Sequence, residues 1–262
     1  MSSANRSYAP GPFTADQIRA GDPYELSNGH PIYCLPTGRR GGRANLTGGS
    51  VLETDPAVKS AGVDVGFSDN PKHLRAPAVS VGDFEDAPGW ATEAPPLAVE
   101  YADRGQDEAD LQAKIREVFE GGTQHVWIVR LHGPRRVEVH TRDMPMRLAR
   151  YGDVLTAPGI LQNPVPVEAL FDREAAHEAT LRNLLQRKGF ASLEAVREEG
   201  KLEGKLESKL DSLHQILVAR GIALTAAQRR KIDSEEDMSE VDAWIAKALV
   251  VTSAKELFKG RS

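Results

Sequence analysis

The sequence predicts an α/β fold, a mixed β-sheet core flanked by helices, with an all-α extension behind it. Three observations predict this. Residues 96–129 read strand, helix, strand: an apolar run Leu97-Ala98-Val99, an apolar helix face at Leu111, Ile115, Val118 and Phe119, then His125-Val126-Trp127-Ile128-Val129. Spacing of i, i+4, i+7, i+8 is one face of a helix, and a helix between two strands is the crossover unit of an α/β sheet. Hairpin signals flank that unit, Asn28-Gly29 on one side and Gly133-Pro134 on the other. Finally, composition changes after about residue 172: proline is absent from 167 onward and Glu, Lys and Leu take over.

In chain order, residues 1–12 are rich in Ser, Asn, Gly and Pro and are expected to be disordered. Thr14-Ala15-Asp16-Gln17 has the capping-box pattern and opens a short helix. Residues 24–27 and 30–35 form a hairpin about Asn28-Gly29. Residues 43–54 suit a helix that Gly48-Gly49 weakens. Residues 63–67 and 76–81 alternate as strands, and 96–101 form the next. Asp107 to Glu120 is the helix, closed by Gly121-Gly122. Residues 125–129 and 136–140 are strands, while 152–155 and 163–167 look like closing edge segments and 167–171 caps the domain. Behind this, Leu202, Leu206, Leu210, Leu213 and Leu217 are spaced by four and three, a helical seam, and Val241, Trp244, Ile245, Ala248 and Leu249 form another apolar stripe. The organisation expected is a disordered start (1–12), an α/β domain (13–172) and a helical extension (173–262) for self-association or partner docking.

Composition narrows the class. Forty per cent apolar residues support a core, and no run approaches the ~18 residues of a membrane helix, so no membrane partner is expected. The start has no apolar segment of secretory type, and the single cysteine, Cys34, excludes an intramolecular disulfide and a Cys-cluster zinc site. A cytoplasmic protein is the expectation. The net charge of −5 speaks against a non-specific nucleic-acid coat but permits a local basic face, for which Arg39, Arg40 and Arg43 are the candidates; a solvated loop is an equal reading of them.

The chemistry is expected around Glu100. A strand of type Leu97-Ala98-Val99 has no structural need for a glutamate at its end, so Glu100 either caps a turn or holds something charged. Lys114, one to two turns into the following helix, is able to point back at that strand end, although a lysine whose stem lies along the surface is the competing reading. Asp64 reads as a polar residue on an exposed face. Asp103, Asp107, Glu108 and Asp110 suit the positive end of the helix. The histidines show no HExxH spacing, and Gly41-Gly42 and Gly48-Gly49 are followed by no Gly-Lys-Ser/Thr, so neither a zinc site nor a phosphate loop is indicated.

Four blocks in order, YELSNGHPI, LRAPAVSV, PPLAVEYAD and LQAKIREVFEGGTQHVWIV, resemble the Uma-type family of endonuclease-like proteins in the PD-(D/E)xK, restriction-endonuclease-like superfamily. The resemblance spans about residues 13–172 and implies a restriction-endonuclease-like sheet and Mg²⁺- (or Mn²⁺-) dependent hydrolysis of phosphodiester bonds in DNA. It implies that Glu100 is the strand glutamate, Lys114 the lysine moved onto the helix, Glu25 a fourth member, and the Tyr101 carbonyl a further metal ligand. The family's Pro-Asp stands here as Pro77-Ala78. A methyl offers no ligand to a hard cation, so this chain is expected to be impaired as written. Arg75, Pro77, Val79, Glu100 and Lys114 all match around the gap, which favours a single-site inactivation over general decay. A homodimer is expected from the class, since cutting both strands takes two sites and closed two-fold symmetry is common. The alternative is a non-catalytic nuclease-fold module that works through its helical tail.

Overall fold

The computed structural model describes residues 11–105 and 107–258. The expectation of a disordered start falls on residues 1–12, of which 1–10 lie outside the described residues. The chain divides into two compact units, 1–189 and 190–262.

The first unit is built on a six-stranded mixed sheet in the order β3 (Ser60–Gly62), β4 (Val79–Gly82), β5 (Leu97–Ala102), β6 (His125–Arg130), β7 (Arg136–Thr141) and β8 (Met144–Arg150). All neighbours are antiparallel except β5 and β6, which run parallel because α2 (Glu108–Glu120) carries the chain back between them. Parallel strands need such a crossover. One sheet face packs Val79, Val99, Trp127 and Val137 against α1 (Arg39–Glu53) and α3 (Arg173–Arg187). The other packs Ala98, Val126 and Ile128 against Leu111, Ile115 and Val118 of α2. The result is a helix–sheet–helix sandwich, so the α/β class and the C-terminal helices expected from the sequence are present. A hairpin, β1 (Tyr24–Ser27) with β2 (His30–Tyr33), turns at Asn28-Gly29, both in the left-handed region.

Some elements differ from the sequence reading. The strand expected over 63–67 does not form, because Asp64 takes a left-handed φ of 54° within it, and β3 lies just before at Ser60–Gly62. The segments at 152–155 and 163–167 are not sheet edges: β9 (Val154–Leu155) pairs only with β10 (Val165–Pro166), and the true edge is β8. The helix expected over 43–54 begins at Arg39, so the arginine cluster lies on helix and not on loop. The unit boundary falls after Gly189, not at 172, because α3 belongs to the first unit. Asn183 is 1% exposed and donates to the Val51 carbonyl, and Arg187 donates to the carbonyls of Glu53, Thr54, Asp55 and Val58. Of these acceptors Val51 and Glu53 are among the last carbonyls of α1 and Thr54 is its cap, so Asn183 and Arg187 close the helix end and set a cation where its dipole favours one.

The second unit comprises α4 (Leu193–Ala219), α5 (Ala226–Asp233), α6 (Met238–Ala248) and α7 (Ala254–Leu257). Its core gathers Leu213, Leu217, Ile232, Trp244, Ala248 and Leu257. No described helix is long and apolar enough to cross a membrane.

Candidate active site

Alternation along β5 turns Glu100 to the α2 face, between Ala98 and Ala102 of that core. Lys114 projects from α2 to meet it, Nζ lying 2.8 Å from Glu100 Oε1. The same ammonium donates to Glu25 Oε1 at 2.9 Å and to the Ala76 carbonyl at 2.7 Å. Glu25 reaches this point because Leu26 and Leu74 exchange two backbone hydrogen bonds, which sets Glu25 beside Arg75. Arg75, 2% exposed, donates through Nη1 to Glu25 at 2.9 Å and through Nε to Glu117 at 2.5 Å, and Glu117 also accepts from the Ser27 hydroxyl. Ser27, Glu117, Arg75, Glu25, Lys114 and Glu100 therefore form one continuous polar chain linking β1, α2 and β5.

The charges in this chain shift one another. Burial alone would raise the Glu25 carboxyl, but Lys114 and Arg75 together hold it below its ordinary value. Burial raises Glu100, whose close cation among the described residues is Lys114 and whose neighbours Glu25 and Asp64 push in the same direction as burial. Lys114 is raised despite its own burial, because two carboxylates face it. The difference between the glutamates follows from their partners: two cations for Glu25, one for Glu100.

A cleft of about 370 Å³ opens over these groups and is lined also by Asn45, Asp64, Ala78 and Tyr101. A larger hollow of about 580 Å³ lies beside the 83–96 loop, but its lining includes no cation or histidine. Ala78 immediately precedes Val79, which pairs with Val99, so its methyl sits at the end of the ladder beside Glu100. Tyr101 lines the cleft, while its hydroxyl donates to the Leu170 carbonyl on the other side of the sheet. Among the described residues no three acidic, histidine or cysteine side chains are placed to hold a metal ion. The donor set at this junction does not suit a Mg²⁺ ion, because position 78 supplies no oxygen and the Lys114 ammonium already sits against both Glu25 and Glu100.

The structure thus brings Glu25, Ala78, Glu100, Tyr101 and Lys114 to one cleft. Arg40 pairs with Asp103, which removes one of the three cations from the basic cluster, while Arg39 and Arg43 are exposed in the first half of α1. Cations at that end of a helix oppose its dipole, so their placement is not explained by helix stability. Of the acidic group before α2, Asp107 caps the helix by accepting from Ala109 and Asp110 N–H, and Glu108, held down to about 2, pairs with Arg130.

Two participants, Glu117 and Asn45, were not singled out by the sequence reading, and a third, Asp64, was read there only as an exposed polar residue. Glu117 lies three residues after Lys114 on α2, and that inward polar pair beside an apolar face was the available signal. Asp64 is exposed as expected, but it also lines the cleft, within electrostatic reach of Lys114 and Glu25. Asn45, 7% exposed, gave no signal at all.

Neither a family model nor a curated protein matches the chain. A solved structure does: that of a candidate nuclease belonging to DUF820 from Anabaena variabilis ATCC 29413, at 1.96 Å resolution. The two share 18% identity over 62% of this chain and 99% of that one, with a TM-score of 0.51. The likeness assigns the mixed sheet and its flanking helices to the fold class of that structure.

Proposed function

We propose that this chain is a nuclease-like protein of the PD-(D/E)xK kind, with DNA as the substrate class, whose phosphodiester-cleaving site is disabled at Ala78. The observation that carries the reading is the junction at the end of β5. A buried ammonium there bridges Glu25 and Glu100 at 2.9 and 2.8 Å, next to a methyl where the Uma-type pattern has a carboxylate. A structural ion pair needs no cleft above it, and a solvent-reachable cleft lined by strongly shifted groups is the usual setting of chemistry. Exposed Arg39 and Arg43 on α1 offer contacts to a phosphate backbone.

Because the residues present do not fit a divalent ion, no catalytic step is assigned to the chain as written. Lys114 and Arg75 hold Glu25 ionised and oriented, and Lys114 keeps Glu100 in place. Mg²⁺ or Mn²⁺ would supply the activation of water and the neutralisation of phosphate charge in a variant able to hold it.

The test is cleavage of plasmid and single-stranded DNA by this chain and by Ala78→Asp, side by side, with Mg²⁺ and with Mn²⁺. The chain as written is expected to be silent and the variant to cleave only with metal. Cleavage by the chain as written that Glu100→Gln abolishes would refute the disabled-site reading. A second readout needs no activity: Mn²⁺ is expected to raise the melting temperature of Ala78→Asp, while neither Mn²⁺ nor a chelator moves that of the chain as written. The alternative, a nuclease fold kept as an assembly scaffold, is favoured by one feature, the exposed first half of α4.

A further inference from the structure

The first half of α4 carries a pattern that an isolated helix does not explain. Its only buried residues, Leu213 and Leu217, lie in the second half, where α6 packs and where Lys209 pairs with Asp242. Upstream, Leu202 is 50% exposed and Leu206 is half-buried. Residues 199–211 repeat with a period of four: lysine at 201, 205 and 209, leucine at 202, 206 and 210, and an acid at 199, 203, 207 and 211. At about 100° per residue, each leucine has a lysine on one flank and a glutamate on the other. The period of four also stacks like on like. Lys201, Lys205 and Lys209 form one rail, and Glu199, Glu203, Glu207 and Asp211 form the opposite one. Like charges at i, i+4 destabilise a lone helix, and the ion pair within α4 that offsets them sits at the start of the repeat, Glu198 with Lys201. Glycines at 200 and 204 weaken it further, and nothing lies within 4 Å of where their side chains would be.

A partner with rails of opposite order relieves both rails at once. We propose that a second copy of this chain pairs with the first half of α4 in parallel, Leu202 and Leu206 against their counterparts. Orientation follows from symmetry. In a parallel two-helix pair, one flank of each helix faces the opposite flank of the other, so the lysine rail meets the glutamate rail. An antiparallel pair sets like flanks together, lysine on lysine and glutamate on glutamate. The parallel copy is the occupant that the charges select, and it stands whether or not the cleft cleaves anything.

The experiment measures the mass of the full chain by sedimentation velocity across a concentration series. A dimer is expected, dissociating to one chain mass in Leu202→Asp. Because that change also touches the helix, a second variant is read beside it. Lys201→Glu with Lys205→Glu alters only exposed positions; alone it is expected to be monomeric, and mixed with Glu199→Lys, Glu203→Lys it is expected to give a mixed dimer. Orientation is read in a Cys34→Ser background with Ala195→Cys, on the same helix face as the leucines. Oxidised glutathione should link two copies through residue 195, the thiols being oxidised and the glutathione disulfide reduced. An antiparallel pair centred on Leu206 would hold those sulfurs about 30 Å apart. A monomer at every concentration, a dimer that survives both variants, or a dimer that does not link at 195 would each overturn the proposal.

Discussion

Lys114 does work at the scale of one residue that a divalent ion does in a metal-dependent site: it holds two carboxylates in place. Removing one partner of a buried charge pair leaves the other uncompensated, at a cost of about 3–5 kcal/mol. Glu25→Gln is therefore expected to lower the free energy of unfolding by about 3 kcal/mol, read by urea denaturation near neutral pH. Glu100→Gln is expected to change it by less than about 1 kcal/mol, because burial already disfavours the ionised form of Glu100. Their pH dependences run in opposite directions. Glu25 is held below its ordinary value of 4.5, so its contribution is present above that pH and is lost as pH falls through the folded value. Glu100 is raised above 4.5, so its ionisation subtracts stability as pH rises past that value. Urea midpoints over about pH 3–7 should show the acid limb flattened in Glu25→Gln and retained in Glu100→Gln. Lys114, raised, contributes fully below its ordinary 10.5 and is lost only above it. Glu100 was legible in the sequence because a carboxylate interrupts an apolar strand. Arg75's twofold pairing was not, since it depends on a Leu26–Leu74 contact between segments 48 positions apart.

At the scale of elements, legibility tracked burial. The α2 helix and β5, β6 and β7 bury alternate or periodic positions and were readable to within a residue or two. The β8 strand was missed because it buries only Ala149 and exposes Met144 and Met146, so no alternation betrays it. Glycine in α1 was misread as weakness. A side chain at Gly48 would come within 2.0 Å of the Tyr101 hydroxyl and 3.3 Å of the Leu170 carbonyl, so glycine there is what lets α1 approach the sheet. Gly48→Ala is expected to lose about 1–3 kcal/mol through overpacking, whereas Gly200→Ala, in open space on α4, should gain up to about 1 kcal/mol. Thermal melts of the two variants against the parent check both signs.

For the whole molecule, the division into an α/β unit and a helical unit was visible in proline usage, but its position was not. A charged, amphipathic helix such as α3 looks from composition like the tail that follows it. What assigns it to the first unit is a set of bonds from Asn183 and Arg187 to main-chain carbonyls, which no composition records. A chain ending after residue 189 is therefore expected to fold as a two-state unit, and one ending after residue 172 to lose cooperative unfolding. Circular dichroism during urea titration distinguishes them.

That set of bonds has a bearing on how such chains diversify. Arg187 spends its donors on backbone oxygens, which every sequence possesses, so the fastening makes few demands on side chains elsewhere. Recombination between Arg187 and Leu193 would exchange one helical appendage for another while leaving the α/β unit sealed. Recombination twenty residues earlier would carry the seal away with the tail. Natural tail swaps on this fold should accordingly cluster in that short interval.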